Sequence, residues 1–376
     1  MSQDRLLHRY LAAVISCLAF IAVIFFYPHT PRYVSTFPVE NFSAANSTLG
    51  FGAVAPVSRA ASPRRKGLNF AANITHVHLT IPEQPIWTEE DVAALHAEHG
   101  STLTYGSSLA WLGHLNALKW FLSTNLESVL ILEDDVDWNI RLRSTQIPTA
   151  AAAVRLLTNP HHSSDADFWG PSGSWDLLYL GHCGDFFPSH LWGRIPHLTF
   201  PDTTMPMADD LHPYTQKFLS SIEVPAQNRL VHKTAFPLCT FGYAVTRAAA
   251  TRLVNQLANR EPEGGCLAYD IRIHEICRDN PDFNCLTVNP ELMHHVDAAS
   301  EIGNIDQGRD QIQEESRTER RRTPNIACGA RNSALYTDDP HVLNYLASYA
   351  VDEANTCLPE DMETVEREMR MRYPYS

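Results

Sequence analysis

Val129-Leu130-Ile131-Leu132-Glu133-Asp134-Asp135-Val136-Asp137 decides how the chain is read: four apolar residues of a buried strand run straight into four carboxylates within five positions. Neighbouring carboxylates in a partly desolvated place repel one another, and they cannot all ionise unless something positive compensates. A hard divalent cation, Mg2+ or Mn2+, is the natural compensation, because it takes oxygen ligands and completes its shell with a substrate's phosphates. The same nine residues also read as a solvated acidic turn after a strand. Side chains alternate across a strand, so if the strand persists Glu133, Asp135 and Asp137 share one face, the expected metal face, and Asp134 points the other way.

Outward from that strand, the pattern is one of alternating strands and helices. Before it, apolar residues at Leu109, Leu112, Leu115, Leu118 and Phe121 recur with helical spacing over residues 107–122. Earlier still, residues 50–58 form a short apolar run that enters a loop and helix at Gly67-Leu68-Asn69-Phe70. Residues 77–81 alternate like a second strand closed by Pro82 and Pro85, and Thr88 followed by Glu89, Glu90 and Asp91 carries an N-cap signature with an acidic first turn. After it come an alanine-rich helix over residues 149–157, a polar loop over 161–174, and a strand over 175–180. That strand ends at Gly181-His182-Cys183-Gly184, whose glycines allow a ligand close to the backbone. Residues 238–245 read as another strand and 247–258 as a helix. The alternation predicts an α/β layered fold with a mostly parallel sheet.

Composition sets the class of partner and compartment. With 376 residues, 44% of them hydrophobic, the chain can bury a sizeable core, and a net charge of −14 argues against binding to nucleic acid. Residues 10–27 (YLAAVISCLAFIAVIFFY) follow Arg5, His8 and Arg9 and end at Pro28. At 1.5 Å per residue this stretch reaches roughly 27 Å, close to a bilayer's hydrocarbon core, so it is expected to be a transmembrane signal anchor; a cleavable signal peptide is the competing reading. Residues 1–9 would then be a cytosolic tail, 28–48 a stem, 49–303 the main domain and 304–376 a charged C-terminal extension, with everything after the anchor lumenal. Three sequons (Asn41-Phe42-Ser43, Asn46-Ser47-Thr48, Asn73-Ile74-Thr75) and seven cysteines follow the span. The cysteines allow up to three disulfides with one thiol left over. Cys277 and Cys285 could close a short loop, and no CxxC pair points to a zinc ribbon. Residues 306–322, dense in Gln, Glu and Arg, read as a solvated helix or a disordered segment.

In order along the chain, four segments resemble glycosyltransferase family 25, which contains bacterial lipopolysaccharide transferases and collagen β-galactosyltransferases. They are Gly113-His114-Leu115-Asn116-Ala117-Leu118, Leu130-Ile131-Leu132-Glu133-Asp134-Asp135-Val136, Asp176-Leu177-Leu178-Tyr179-Leu180-Gly181 and Gly242-Tyr243-Ala244-Val245-Thr246-Arg247. The resemblance spans residues 49–300 and is strongest to fungal, membrane-anchored members. It implies a GT-A fold, one Rossmann-like domain using a nucleotide-diphosphate sugar, commonly with Mn2+, and inverting the anomeric carbon. UDP-galactose is the default donor, a glycan or glycoprotein the acceptor, and the Golgi or ER membrane the location. At the first strand the chain departs from the family: Asn-Leu-Asp with paired arginines is replaced by Val57-Ser58-Arg59 before Arg64-Arg65.

On this reading Ser58, Arg59, Arg64, Glu133, Asp134, Gly181 and His182 would contact the donor. Asp135 would ligate the metal, with Glu133, Asp137, His294 and His295 as further ligands. Asp270 is the candidate general base, an N-cap role being its alternative, and Glu275 is the reserve. His114 is expected to be a buried, hydrogen-bonded side chain. Trp169, Trp175 and Trp192 could stack on sugars, with core packing as the default. The altered first strand motivates a different class of reading, a catalytically inactive carbohydrate-binding or scaffolding protein on the same fold. A metal-dependent hydrolase ranks last.

Overall fold

The computed structural model describes residues 42–159, 167–296, 301–307, 323–352 and 356–373. The expected anchor and most of the stem lie outside the described residues, as does most of the charged segment after residue 307. Among the described residues no helix is long and apolar enough to cross a membrane.

The first half of the chain follows the expected alternation: β1 (Ala53–Val57), α1 (Arg64–Ile74), α2 (Glu89–Leu95), α3 (Tyr105–Ser123), β2 (Ser128–Glu133), β3 (Val136–Trp138) and α4 (Ile147–Thr158). Thr88 does cap α2: its hydroxyl accepts from the Asp91 amide at 3.1 Å and the Asp91 carboxylate accepts from the Thr88 amide at 2.9 Å. The second half contributes β4 (Leu177–Gly181), β5 (His197–Pro201), α5 (Pro213–Ser221), β6 (Asn228–Lys233), β7 (Gly242–Thr246), α6 (Arg247–Arg252), α7 (Tyr269–Asp279), β8 (Cys285–Asn289), β9 (Met293–His295), α8 (Glu301–Asp306), α9 (Pro340–Val351) and α10 (Met362–Arg372).

One sheet runs β1-β2-β7-β4-β8-β6-β5, with β9 bridging β3 and β4. β1/β2 and β4/β8 are parallel, but β7 lies antiparallel to both β2 and β4, and β6 is antiparallel to β5 and β8. The sheet is therefore mixed, which corrects the expectation of a mostly parallel one. A strand buried on both faces reads as the same apolar run whichever way it points, so the direction of β7 is absent from its composition. Two strand expectations also change. Residues 77–81 make only a single bridge, Val54 to Leu79, since the prolines that follow cannot continue a ladder. The strand expected from residue 238 starts at Gly242, because Cys239 takes a positive φ of 64° that breaks the extended run.

Alternation across the sheet builds two cores. Leu130, Leu132, Val54, Leu178 and Ala244 face α1, α4 and α9, whereas Val129, Ile131, Tyr179, Tyr243 and Val245 face α3, α6 and α7. Each such buried aliphatic contributes about 1.5–3 kcal/mol. Trp169 and Trp175 belong to the first core, which is their default role. A third cluster, around Phe187, Phe218 and Leu230, fills a lobe inserted between β4 and β7. Beyond residue 303, Ala330, Leu335, Leu346 and Val365 enter the first core, so the folded unit continues through α10.

Disulfides join Cys183 to Cys239, Cys277 to Cys285 and Cys328 to Cys357, leaving Cys266 buried and free. Three disulfides point to an oxidising, secretory-pathway compartment.

The loop before α3 and the loop after α6 are tied by one carboxylate. Glu261 is 1% exposed and accepts from the amides of Ala97, Thr102 and Cys266 and from the Ser101 hydroxyl. Burial alone would raise it, but these hydrogen bonds prevail and hold it at about 2, down from 4.5. The folded value lies below the unfolded one, so the stabilisation, about 3 kcal/mol, is present above pH 4.5 and disappears as the pH falls toward 2. Glu261→Gln is expected to lower the unfolding midpoint at pH 7, with the gap to the unmutated protein closing by pH 2. A gap independent of pH would contradict this account.

Candidate active site

Parallel pairing of β1 with β2 sets Val57 opposite Glu133, which brings Ser58 beside Asp134 at the carboxyl ends of the two strands. In open α/β sheets this is the edge at which ligands bind. β2 ends at Glu133, Asp134 and Asp135 form a turn, and the chain resumes as β3. The alternation that would align Glu133, Asp135 and Asp137 stops at that turn. The four acids consequently have four different surroundings.

Glu133 stays about a third exposed at the end of β2 and accepts from the Thr240 hydroxyl at 2.9 Å. Asp134 is turned inward: it accepts from the Ser58 hydroxyl at 2.6 Å, and Arg64 lies 3.7 Å away. Ser58 also meets Arg65, through its hydroxyl and its carbonyl. Asp135 pairs with Arg64 at 3.0 Å through one oxygen, while its other oxygen is buried with no hydrogen-bond partner. Asp137 is the correction to the expected metal face. It is buried beneath the turn and accepts from the amides of Trp138, Ala330 and Arg331 and from the Thr323 hydroxyl. Arg331 completes this floor by donating to the carbonyls of Asp134, Val136 and Arg64.

Asp270 approaches Glu133 from the first turn of α7. Its carboxylate accepts from the Cys239 amide at 3.0 Å and from the Ile271 amide at 2.9 Å; the N-cap position itself is Ala268. Glu133 feels this crowding. Its carboxyl is pushed up to about 8, first by burial and then by Asp135, with Asp270 and Asp134 adding and the Thr240 hydroxyl opposing. Glu275 does not belong here. Five residues after Asp270, it lies roughly 140° around the helix and pairs with Arg272 at 3.1 Å.

The β3/β9 ladder sets His294 opposite Asp137 and His295 opposite Val136, and Phe241 packs on both imidazoles. Burial lowers His294 to about 4, although nearby Asp135 favours its charged form, so it is neutral at pH 7. Its Nδ1 donates to the His295 carbonyl at 3.0 Å, which leaves the lone pair on Nε2. Behind Glu133, His114 stacks on Tyr269 and shares a hydrogen bond with the Tyr243 hydroxyl, its Nε2 3.9 Å from Glu133. It is the buried side chain expected.

Two sequence-predicted donor contacts are overturned. His182 is fully buried, its Nδ1 accepting from the Gly184 amide and its Nε2 donating to the Val288 carbonyl, so no nitrogen remains for a ligand. Gly181 is small for a different reason than expected: a Cβ there would come within 2.7 Å of the Gly242 nitrogen and 2.9 Å of the Met293 carbonyl, where β7 and β9 close in. Arg59 is exposed near the end of β1. Trp192 stacks on His197 in the inserted lobe.

No protein-family model and no curated protein sequence matches this chain. Among solved structures, it is similar to the crystal structure of a glycosyltransferase involved in the glycosylation of the major capsid of PBCV-1. The match has 13% identity and a TM-score of 0.28, covering 69% of this chain and all of that one. A likeness that slight decides neither chemistry nor substrate, which have to come from the site.

Among the described residues, no three His, Cys, Asp or Glu side chains converge to hold a metal ion unaided. Magnesium-like ions seldom need such a cage, since one or two carboxylates, waters and a substrate's phosphates suffice. The orphaned oxygen of Asp135, beside a Glu133 whose carboxyl is pushed up to about 8 first by burial and then by Asp135, fits that open kind of site. Thr240, Phe241 and Arg331 are the site residues that sequence reasoning missed. Thr240 and Phe241 immediately precede Gly242-Tyr243, the nearest signal to them, and Arg331 has none.

Proposed function

We propose that this chain is an inverting, UDP-sugar-dependent hexosyltransferase of GT-A type, galactose being the favoured sugar and a glycan or glycoprotein the acceptor. The reading rests on one observation: Asp135 and Asp270 crowd Glu133, Arg64 is the cation paired with Asp135, and one Asp135 oxygen lacks any partner. A group of carboxylates that cannot all ionise together suits a ligand that arrives with a divalent cation.

Asp135, with Glu133, would hold Mn2+ or Mg2+, which supplies Lewis-acid stabilisation of the departing diphosphate. His294 and His295 border the same turn and complete the candidate ligand set. Arg64 meets the phosphates' negative charge once Asp135 is otherwise engaged, and Ser58 keeps Asp134 out of the ligand set by holding its carboxylate. Asp270 takes the proton from the acceptor hydroxyl. That oxygen bonds to the anomeric carbon as the bond from carbon to diphosphate oxygen breaks, its electron pair leaving with UDP, and the configuration inverts. The expected setting is the Golgi or ER lumen, behind an anchor at residues 10–27.

The test is thermal unfolding of the full chain with UDP-galactose, UDP-glucose and UDP-N-acetylglucosamine, each with Mn2+ or with EDTA. Selective binding to the folded state raises the midpoint, by about 2.7 kcal/mol of stability at a hundredfold excess over Kd. We expect a shift with one sugar nucleotide that EDTA abolishes and Mn2+ restores, together with turnover of that donor. A donor shift unaffected by EDTA would refute the metal role. The Arg64–Asp135 pair also suits an inactive sugar-binding protein, and simple-sugar binding with no response to UDP and Mn2+ would favour that reading.

A further inference from the structure

Two of the three sequons, Asn46-Ser47-Thr48 and Asn73-Ile74-Thr75, fall on described residues, whereas Asn41 lies outside them. The fold brings these two together. Asn46 lies in the loop ahead of β1 and Asn73 in the last turn of α1, and Arg143 joins the two places by donating to the carbonyls of Ala45 at 2.8 Å and Thr75 at 3.2 Å. His78 ties the same loop by donating its amide to the Ser47 carbonyl, and Gly52 donates to the carbonyl of Ser128, the first residue of β2. Both asparagines thus sit toward the amino ends of β1 and β2, whereas Ser58 and the acidic turn sit at the carboxyl ends. Arg64, which pairs with Asp135, is at the opposite end of α1 from Asn73, roughly 14 Å away at 1.5 Å per residue.

Both asparagine side chains are exposed, and among the described residues no hydrogen bond holds that of Asn73. The Asn46 carbonyl oxygen closes its loop by accepting from the Thr48 amide at 3.1 Å, the Thr48 hydroxyl at 3.2 Å and the Gly50 amide at 2.8 Å. An N-linked glycan takes the amide nitrogen and leaves that oxygen in place, so the loop is compatible with a modified Asn46. The hydroxyls by which a sequon is read are a different matter. Thr75 is buried, its hydroxyl donating to the Ala71 carbonyl at 2.6 Å and accepting from the Trp138 indole at 3.1 Å. The Thr48 hydroxyl is engaged by the Phe51 carbonyl and by Asn46. Trp138 comes 63 residues after Thr75, so the Thr75 hydroxyl is open to a modifying enzyme only while α1 and β3 have yet to pack.

We propose that Asn46 and Asn73 both carry N-linked glycans, attached before the fold engages the Thr48 and Thr75 hydroxyls. The co-reactant is a lipid diphosphate-linked oligosaccharide of the secretory pathway, the compartment to which the three disulfides point. Each asparagine Nδ2 loses a proton and bonds to the anomeric carbon of the first sugar. The bond from that carbon to the diphosphate oxygen breaks, and its electron pair leaves with the lipid diphosphate. The two glycans share one end of the sheet and leave the acidic turn at the other end uncovered. None of this depends on the transferase reading.

Occupancy is tested on the full chain made in the secretory pathway of a eukaryotic cell. Peptide N-glycosidase in heavy-oxygen water converts each modified asparagine to a labelled aspartate, which peptide mass spectrometry locates. We expect label at both Asn46 and Asn73, and its absence from either overturns the proposal. The order of events is tested on full chain made in bacteria without glycans, either folded with its disulfides intact or reduced, alkylated and unfolded, the two states being checked by circular dichroism. Each is given oligosaccharyltransferase and a lipid-linked oligosaccharide. We expect transfer to both asparagines of the unfolded chain and its loss in the folded one. Transfer to either asparagine of the folded chain, or none to the unfolded chain, overturns the proposed order.

Discussion

Replacing Asp135 with alanine is expected to cut turnover of the sugar nucleotide by about a thousandfold while leaving the fold in place, the scale on which losing an electrostatic stabiliser of a leaving group acts. The fold survives because Asp135 contributes little to it. One of its oxygens has no partner and the other meets only Arg64, so removing it relieves repulsion on Glu133 as well as costing an ion pair. Asp135→Asn is the sharper comparison, since it keeps volume and removes charge. Initial rates with Mn2+ present, set beside the unfolding midpoint of each variant, make the measurement. Turnover within tenfold of the unmutated protein would end the assignment of Asp135.

Asp137→Ala should do the reverse and act on stability, by about 3–5 kcal/mol, the range seen when one partner of a buried charged network is removed. The Trp138 and Arg331 amides and the Thr323 hydroxyl lose their acceptor, the Ala330 amide keeps only the Trp138 carbonyl, and the Arg331 guanidinium loses its nearby carboxylate. Such amides have no water to turn to, so their desolvation cost is felt in full. Denaturant titration of the full chain measures the loss. A change below about 1 kcal/mol would mean that the floor of the turn is held by something else. The contrast between the two variants is the useful part: two residues apart, Asp135 is expected to change turnover and Asp137 stability.

That contrast marks how far the sequence could be read. The β2 strand, the α3 helix and the Thr88 cap were legible because each is written within a few residues of itself, by periodicity or a capping pair, whereas the Cys277–Cys285 spacing allowed a loop without fixing the pairing. The arrival of Asp270 beside Glu133 was legible in part, through an acidic residue ahead of a helix. The role of Asp137 was not, because the alternation rule holds only while a strand lasts and the turn at Asp134–Asp135 ends it. His182 and Gly181 misled for a related reason. Glycine beside histidine has the look of a ligand loop, but β7 and β9, some 60 and 110 residues later, fill the space. Arg331 bears no local mark of its function, since its three acceptors lie on segments distant in sequence.

The bond between the Arg331 amide and Asp137 spans 194 residues. At the pace of translation, that separation corresponds to roughly 10–40 s between the emergence of the acidic stretch and the arrival of the residue that shapes it. Throughout that interval a nascent chain carries its cluster of acids unformed, and the turn takes its shape only after residue 331 has been made.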